Sequence, residues 1–181
     1  NFRGFQGTLA SGKLQVGDAI KVLPSGKTSS IKEIVTFNGN LDHAEAGQAI
    51  TVTLNSEIDI SRGDVIVPQS SSATVTNLIQ AKLVWMHEEP LVLGKSYNIK
   101  LGSKNTSAVV KKIDHTIDVN TLEHGSADSL QLNEIAIVTL ELTETILADQ
   151  YHHNHETGSF ILIDRLSNLT VVAGMIEQVL Q

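Results

Sequence analysis

The tripeptide Gly26-Lys27-Thr28 has the residue types that end a P-loop, whose backbone N–H groups surround the phosphates of a nucleotide. The full motif, G-x-x-x-x-G-K-[ST], lies between a strand and a helix and requires a glycine at the position of Lys21. The residues after Thr28 are rich in β-branched side chains, which favour a strand over the required helix. Pro24-Ser25-Gly26 therefore predicts a tight turn between two strands.

Two other signatures of a guanine-nucleotide site are incomplete. Lys111-Lys112-Ile113-Asp114 departs at its first position from the [NT]-K-x-D box that reads guanine, and the chain contains no D-x-x-G box. We interpret the two lysines as the charged face of a strand. The sequence therefore predicts that these residues bind no cofactor.

His152, His153 and His155 lie close enough in sequence to suggest a metal site. On a strand, however, only His153 and His155 would share a face, and the sequence identifies no further ligand. We predict a polar loop before a strand that starts at Ser159, and no metal site.

Two acid–base neighbours could serve catalysis. Asp114-His115 would need a nucleophile, and the chain has no G-x-S-x-G elbow. Asp164 and Arg165 would point to opposite faces of a strand, so we expect each to pair with a neighbouring strand. The prediction is that the chain has no catalytic residues.

Three short motifs match functional signatures in their residue types but have no supporting sequence context. Arg62-Gly63-Asp64 is a cell-adhesion tripeptide, but it precedes an apolar run and predicts a glycine turn into the last strand of a barrel. Asn105-Thr106-Ser107 and Asn168-Leu169-Thr170 are glycosylation sequons, which carry little weight without a secretory signal.

Composition limits the function classes. The 181 residues carry a net charge of −7, which argues against nucleic acids and anionic membranes as partners. The absence of cysteine excludes disulfide frameworks and zinc–thiolate sites, and it is compatible with a cytoplasmic location. No apolar run approaches the roughly 18 residues of a membrane span.

Period-two alternation dominates the chain and predicts strands with one face on a core. Turn signals such as Asn38-Gly39 separate these strands. The segment 130–142 has a helix-compatible composition, but its β-branched residues favour a strand. We predict an all-β fold. The apolar positions of three strands are Ile50, Val52 and Leu54; Tyr97, Ile99 and Leu101; and Ala136, Val138, Leu140 and Leu142.

The polar stretch Pro68-Gln69-Ser70-Ser71-Ser72 has the composition of a linker. It predicts two β-barrel domains, at residues 1–70 and 75–181, each large enough for its own core. The chain has no N-terminal signal peptide, and its strand-like pattern starts almost at once. We therefore expect a fragment of a longer protein.

Residues 2–67 resemble domain II of the translation-factor GTPases through the runs at 2–18, 46–54 and 60–67. The runs at 22–50, 83–104 and 160–176 are similar to the large, GTP-binding subunits of bacterial ATP sulfurylase (sulfate adenylyltransferase). Two features are specific to that family: Trp85-Met86 before Glu-x-Pro-Leu, and Ile-Asp-Arg-x-x-Asn-x-Thr at 163–170.

The resemblance implies two consecutive β-barrels like domains II and III of elongation factor Tu. It also implies a role in sulfate assimilation, in which ATP and sulfate form adenylyl sulfate and pyrophosphate, driven by GTP hydrolysis. ATP would bind the small catalytic subunit, a separate partner, whereas GTP and Mg²⁺ would bind a G domain outside these residues. The chain would be a non-catalytic, cytoplasmic fragment that contacts both.

Three alternatives stay open. An adenylyl-sulfate kinase domain could follow Gln181, in a bifunctional version of the same subunit. The chain could come from a translation factor whose barrels hold aminoacyl-tRNA, although its acidic charge and Trp85-Met86 argue against that origin. It could also be an independent β-barrel binding module. The sequence does not identify the surface that contacts the catalytic subunit.

Overall fold

The computed structural model describes residues 2–102, 104–155 and 157–180, and it places only strands, turns and loops among them. The all-β prediction is confirmed. The part of the chain described contains no helix of the length and apolarity needed to cross a membrane. Asn1 and Gln181, at the outer ends of the two predicted domains, lie outside the described residues. The chain divides into two compact units, Asn1–Ser71 and Ser72–Gln181.

The first unit is built from eight short strands. They are β1 (Phe5–Thr8), β2 (Lys13–Gln15), β3 (Ala19–Leu23), β4 (Thr28–Thr36), β5 (Gly39–Leu41), β6 (His43–Glu45), β7 (Ala49–Leu54) and β8 (Val65–Pro68).

An antiparallel sheet in the order β1-β7-β4-β3-β8 forms the body of this unit, with β5 beside β4 and a separate ribbon of β2 and β6. Alternation places one face of each long strand on the core, where Val22 and Ile34 are fully buried. Ile50 and Val52 of β7 are buried on that core, and Leu54 packs against it half-buried. The strand predicted from these three residues is confirmed.

The second unit contains longer strands. They are β9 (Thr74–Trp85), β10 (Ser96–Leu101), β11 (Lys104–Ile117), β12 (His124–Gly125), β13 (Ile135–Ala148), β14 (Ser159–Ile163) and β15 (Thr170–Leu180).

Six of these strands close into a barrel in the order β10-β14-β15-β9-β13-β11, because β10 pairs with both β14 and β11. Every pairing is antiparallel, and β12 extends the sheet beside β11. The alternating residues at 97, 99 and 101 and at 136, 138, 140 and 142 are buried in the interior, as predicted. The strand β13 begins at Ile135, so only the second part of the segment 130–142 is extended.

Candidate functional site

The residues that resemble nucleotide motifs lie on ordinary β structure. Gly26-Lys27-Thr28 joins β3 to β4, and the Gly26 N–H donates to the Val22 carbonyl over 2.7 Å. Gly26 has φ of 77°, a conformation that favours glycine, and the predicted turn is confirmed. Lys21 is a strand residue paired with Thr28. With neither the loop glycine nor the following helix, these residues do not fit a guanine nucleotide.

Lys111-Lys112-Ile113-Asp114 lies within β11, as predicted. The Lys111 ammonium contacts the Glu141 carboxylate on β13 at 2.8 Å, and Lys112 contacts Asp114 at 3.1 Å. The other Asp114 oxygen accepts a hydrogen bond from the Thr139 hydroxyl over 2.9 Å. These groups satisfy one another on the strand surface, so the segment does not present a free carboxylate to a guanine base.

The histidine-rich segment is a loop between β13 and β14, with Glu156 outside the described residues. His153 Nδ1 lies 3.3 Å from Asp149 Oδ1, and the ring of His155 stacks on Tyr151 with centroids 4.2 Å apart. Nowhere in the described part of the chain do three or more His, Cys, Asp or Glu side chains converge as metal ligands would. The three histidines are therefore exposed residues of a loop, and each contacts a neighbouring side chain of that loop.

The other short motifs also have local roles. Gly63, with φ of 96°, makes the turn before β8, and the Ser61 N–H donates to the Asp64 carboxylate over 2.9 Å. The turn predicted for Arg62-Gly63-Asp64 is confirmed. The imidazole of His115 stacks on His124 of β12, with centroids 4.0 Å apart, instead of facing Asp114 as a catalytic base would.

A depression of about 670 Å³ lies on the outer wall of the second barrel. Its lining combines apolar residues of β14 and β15, including Ile161 and Met175, with the stems of Lys82 and Lys100. Lys82 lies 3.8 Å from Glu177, and Lys100 is exposed. No Asp, Glu or His is among the described lining residues. Tyr151 and Ser159 also line the depression, and the Ser159 hydroxyl donates to the His155 carbonyl over 2.7 Å.

Both family-specific runs meet at one end of the second barrel. We call the segments 86–95, 118–134 and 164–169 together the loop end. The Met86 N–H donates to Val171 O over 2.8 Å, and the Asn133 N–H donates to Trp85 O over 2.7 Å. The Leu91 N–H donates to Leu130 O over 3.0 Å. These bonds join segments that are far apart in sequence into one surface.

Trp85 anchors the first of these segments from inside the barrel. It is 2% exposed, and its ring meets Tyr97 edge to face with centroids 5.9 Å apart. Its indole N–H donates to the Glu89 carbonyl over 2.8 Å, so the loop folds back over the tryptophan. Leu91, also 2% exposed, returns to the core and fixes the other end of the loop. The run Trp-Met…Glu-x-Pro-Leu is therefore a structural unit that shapes this surface.

Asp164 organises the second family-specific run. Asp164 is 8% exposed, and its carboxylate accepts hydrogen bonds from the N–H groups of Leu166 and Ser167. These two bonds, joined by the Lys95 ammonium at 3.2 Å, hold the pKa of Asp164 below its usual value. The same hydrogen bond to Asp164 raises the pKa of Lys95. Both groups are therefore charged at neutral pH, and their ion pair ties the loop 164–169 to Lys95.

Arg165 lies in the turn after β14 and donates to the Ser96 hydroxyl over 3.2 Å. Asp164 and Arg165 follow the last residue of β14 and do not lie on the strand, so they are not on its opposite faces as predicted. Asp164 bonds to Lys95, just before β10, and only Arg165 bonds to a residue of the neighbouring strand, Ser96. What the sequence did not reveal is that they share a surface with the Trp85 run. The available signal was that both runs carry the resemblance to the same family.

A third segment, 118–134, contributes to the loop end although no motif marked it. The N–H groups of Asn120 and Thr121 donate to Asp118 Oδ1 over 2.8 and 3.0 Å, and these bonds, led by that of Thr121, lower the pKa of Asp118. The Leu122 N–H closes the turn by donating to the Asp118 carbonyl over 2.8 Å. A single ionised carboxylate thereby fixes the shape of this turn.

Comparison with known proteins agrees with this geometry. The family described as elongation factor Tu domain 2 matches residues 6–67. The family described as GTP-eEF1A C-terminal domain-like matches residues 78–177, more than half of the chain. A crystal structure of sup35 complexed with GDP superposes with a TM-score of 0.69 and 16% identity, over 99% of this chain and 46% of that one. The prediction of consecutive barrels like domains II and III of elongation factor Tu is confirmed.

Curated relatives share much more sequence. The chain is 53% identical over 181 residues, 100% of its length, to "Sulfate adenylyltransferase subunit 1" of Saccharophagus degradans. It is 54% identical over 175 residues, 97% of its length, to the protein of the same name from Teredinibacter turnerae. It spans only 38% and 37% of these two relatives.

The predicted resemblance to the large subunits of ATP sulfurylase is confirmed by these identities. The family model that matches residues 78–177 covers more than half of the chain, and these residues form most of the closed second barrel. The chain belongs to the GTP-eEF1A C-terminal domain-like family.

Proposed function

We propose that this chain supplies the two β-barrels, at residues 1–70 and 75–181, of the GTPase subunit of ATP sulfurylase. The observation that carries the proposal is 53% identity, sustained over all 181 residues, to a sulfate adenylyltransferase subunit 1. Two of the runs that carry the resemblance, at 85–91 and 163–170, also meet on one ordered surface, held by Trp85 and Asp164.

The barrels act in this proposal as a rigid body and not as a catalyst. Adenylyl transfer from ATP to sulfate takes place on the small catalytic subunit, which is the partner of this chain. GTP and Mg²⁺ bind a G domain in the part of the polypeptide outside these residues, because the residues that resemble nucleotide motifs here lie on a hairpin and a strand. Nucleotide-dependent movement of switch loops requires a stiff body to act against, and closed sheets provide one. We place the complex in the cytoplasm.

The test uses the complete polypeptide that contains these residues and the purified small subunit of the same organism. We expect the small subunit alone to form little adenylyl sulfate, and addition of the polypeptide with GTP to raise the amount of product. The physical reason is that adenylyl sulfate is high in energy, so its formation needs a coupled hydrolysis. Product formation that is independent of both GTP and the polypeptide would contradict the proposal.

A further inference from the structure

The outer wall of the second barrel carries an apolar row at a place where polar side chains are expected. A sheet that packs one face on a core usually presents a polar face to solvent. Alternation turns Val84, Ile161 and Ala173 away from the core, and the strand pairing places these three residues side by side. Lys100 continues the row beyond Ile161, and Ile135 continues it beyond Val84. Four of the five neighbours in this row are therefore apolar.

The apolar row is a local feature of this wall. Four residues before Val84 on β9, Gln80 pairs with Thr139 of β13 and with Gln178 of β15. That row is polar, as the outer face of such a sheet normally is. Scattered single apolar residues are normal on a protein surface, whereas contiguous ones indicate a binding site.

The apolar row has a hollow centre. Ala173 is exposed, and its short side chain leaves space between its longer neighbours on β14 and β9. The depression of about 670 Å³ lies over these residues, and Met175 and Tyr151 add further walls to it. The Tyr151 N–H donates to the Ile176 carbonyl over 2.9 Å, which holds this residue beside β15. Volumes of about 300–1,000 Å³ are typical of small-molecule sites.

Two lysines make the depression basic within an acidic chain. Lys82 and Lys100 line it without any Asp, Glu or His among the described lining residues, although the chain as a whole carries a charge of −7. In the part of the chain that the structure describes, Lys100 has no ion-pair partner. Lys82 lies 3.8 Å from Glu177, but the two side chains are 40% and 42% exposed, so this pair is weak. Both ammonium groups can therefore pair with a bound anion.

The two lysines lie on opposite sides of the apolar floor. In the barrel, β14 and β15 separate β10, which carries Lys100, from β9, which carries Lys82. Three strand spacings therefore separate the two lysines, or about 14 Å. A lysine stem packs along apolar surface while its ammonium group stays in water. The matching occupant has an apolar body in the hollow and an anionic group at its edge.

Strand pairing limits the kind of occupant further. Each of β14, β15 and β9 is paired on both sides, so these strands have no edge that could accept the backbone of an extended peptide. The occupant is therefore held by side chains, which suits a small molecule.

We propose that this depression is a binding site for a small amphipathic anion. The apolar body of the ligand contacts Ile161, Ala173 and Met175, and its carboxylate, sulfonate or phosphate group pairs with Lys100 or Lys82. The inference goes beyond the proposed function and does not depend on it.

The test titrates the complete polypeptide with 8-anilinonaphthalene-1-sulfonate, an amphipathic anion whose fluorescence rises in an apolar site. We expect saturable binding to the wild type. Lys100→Glu should raise the Kd by about threefold or more, because it replaces an attraction by a repulsion. Lys111→Glu is the matched control, since it makes the same change of charge on β11 at a residue that does not line the depression. Its Kd should change by less than about twofold.

A second probe separates charge from apolar contact. N-phenyl-1-naphthylamine has the same aromatic body without the sulfonate, so Lys100→Glu should leave its Kd unchanged. Ala173→Phe fills the hollow and should weaken the binding of both probes by about threefold or more. Position 173 is exposed, so the larger side chain extends into solvent and we expect the unfolding temperature to stay the same.

Four results would overturn this inference. They are no saturable binding of the sulfonate probe to the wild type, equal affinity in Lys100→Glu, an equal loss of affinity in Lys111→Glu, and undiminished binding of both probes in Ala173→Phe. The proposed function survives any of them, because its own test measures the formation of adenylyl sulfate.

Discussion

Replacing Trp85 by alanine should destabilise the second unit by about 3–5 kcal/mol, the range measured for removal of a large aromatic side chain from a core. The tryptophan is 2% exposed, packs against Tyr97 and donates its indole hydrogen to the Glu89 carbonyl. The substitution leaves a cavity, removes an aromatic contact and leaves that carbonyl without its donor. Urea denaturation followed by circular dichroism should show the transition of the second unit at a lower urea concentration.

Trp85→Phe separates packing from hydrogen bonding at the same position. Phenylalanine keeps most of the buried ring but has no N–H group, so we expect a loss of about 1–3 kcal/mol, smaller than that of the alanine variant. An alanine variant within about 1 kcal/mol of the wild type would contradict the role of Trp85 as the anchor of the loop end.

Gly174→Ala should have the second large effect on stability. Gly174 is buried on β15 opposite Phe160 of β14, and a Cβ at this position would lie 2.7 Å from Phe160 Cε1, with the ring tip nearer still. No real Cβ tolerates such contacts, so the ring or the strand must move within a closed barrel. Overpacking of a core usually costs about 1–3 kcal/mol, and we expect at least that loss in the same denaturation experiment.

Two further variants test whether a clash with the Phe160 ring causes the loss of stability in Gly174→Ala. Gly7→Ala is the control, since Gly7 also lies on a strand but its Cβ would have no neighbour within 4 Å; its stability should change little. Combining Gly174→Ala with Phe160→Leu should cost less than the sum of the two single changes, because the shorter side chain vacates the space. Strictly additive losses in the free energy of unfolding would show that contact with the Phe160 ring is not the reason that alanine is unfavourable at position 174.

The strands and hairpins could be predicted from the sequence because their determinants are local. The alternation of Tyr97, Ile99 and Leu101 indicates the buried face of β10. The residues Pro24-Ser25-Gly26 favour a turn by their own conformational preferences. Closure of the second barrel could not be predicted in this way. Closure depends on the pairing of β10 with both β11 and β14. The second of these pairs joins residues that are far apart in sequence, such as Asn98 and Ile163.

The arrangement of the loop end could be predicted only in part from the sequence, because it also depends on the pairing of distant strands. The Trp85 and Asp164 runs were recognisable as specific features, and the pairing of Asp164 and Arg165 with the neighbouring strand was expected. Their meeting on one surface results from the antiparallel order β14-β15-β9, which brings the ends of distant strands together. Leu122 carried no motif at all. Its positive φ and its exposed position are evident only in the three-dimensional structure.

The central claim is the proposed function, that these residues are the two β-barrels of a GTPase subunit of ATP sulfurylase, whose partner is the small catalytic subunit. Hydrogen exchange of the complete polypeptide, with and without the small subunit, tests it most directly. We predict slower exchange in a localised set of peptides when the small subunit is present at saturating concentration. Unchanged exchange throughout the polypeptide under that condition would contradict the account.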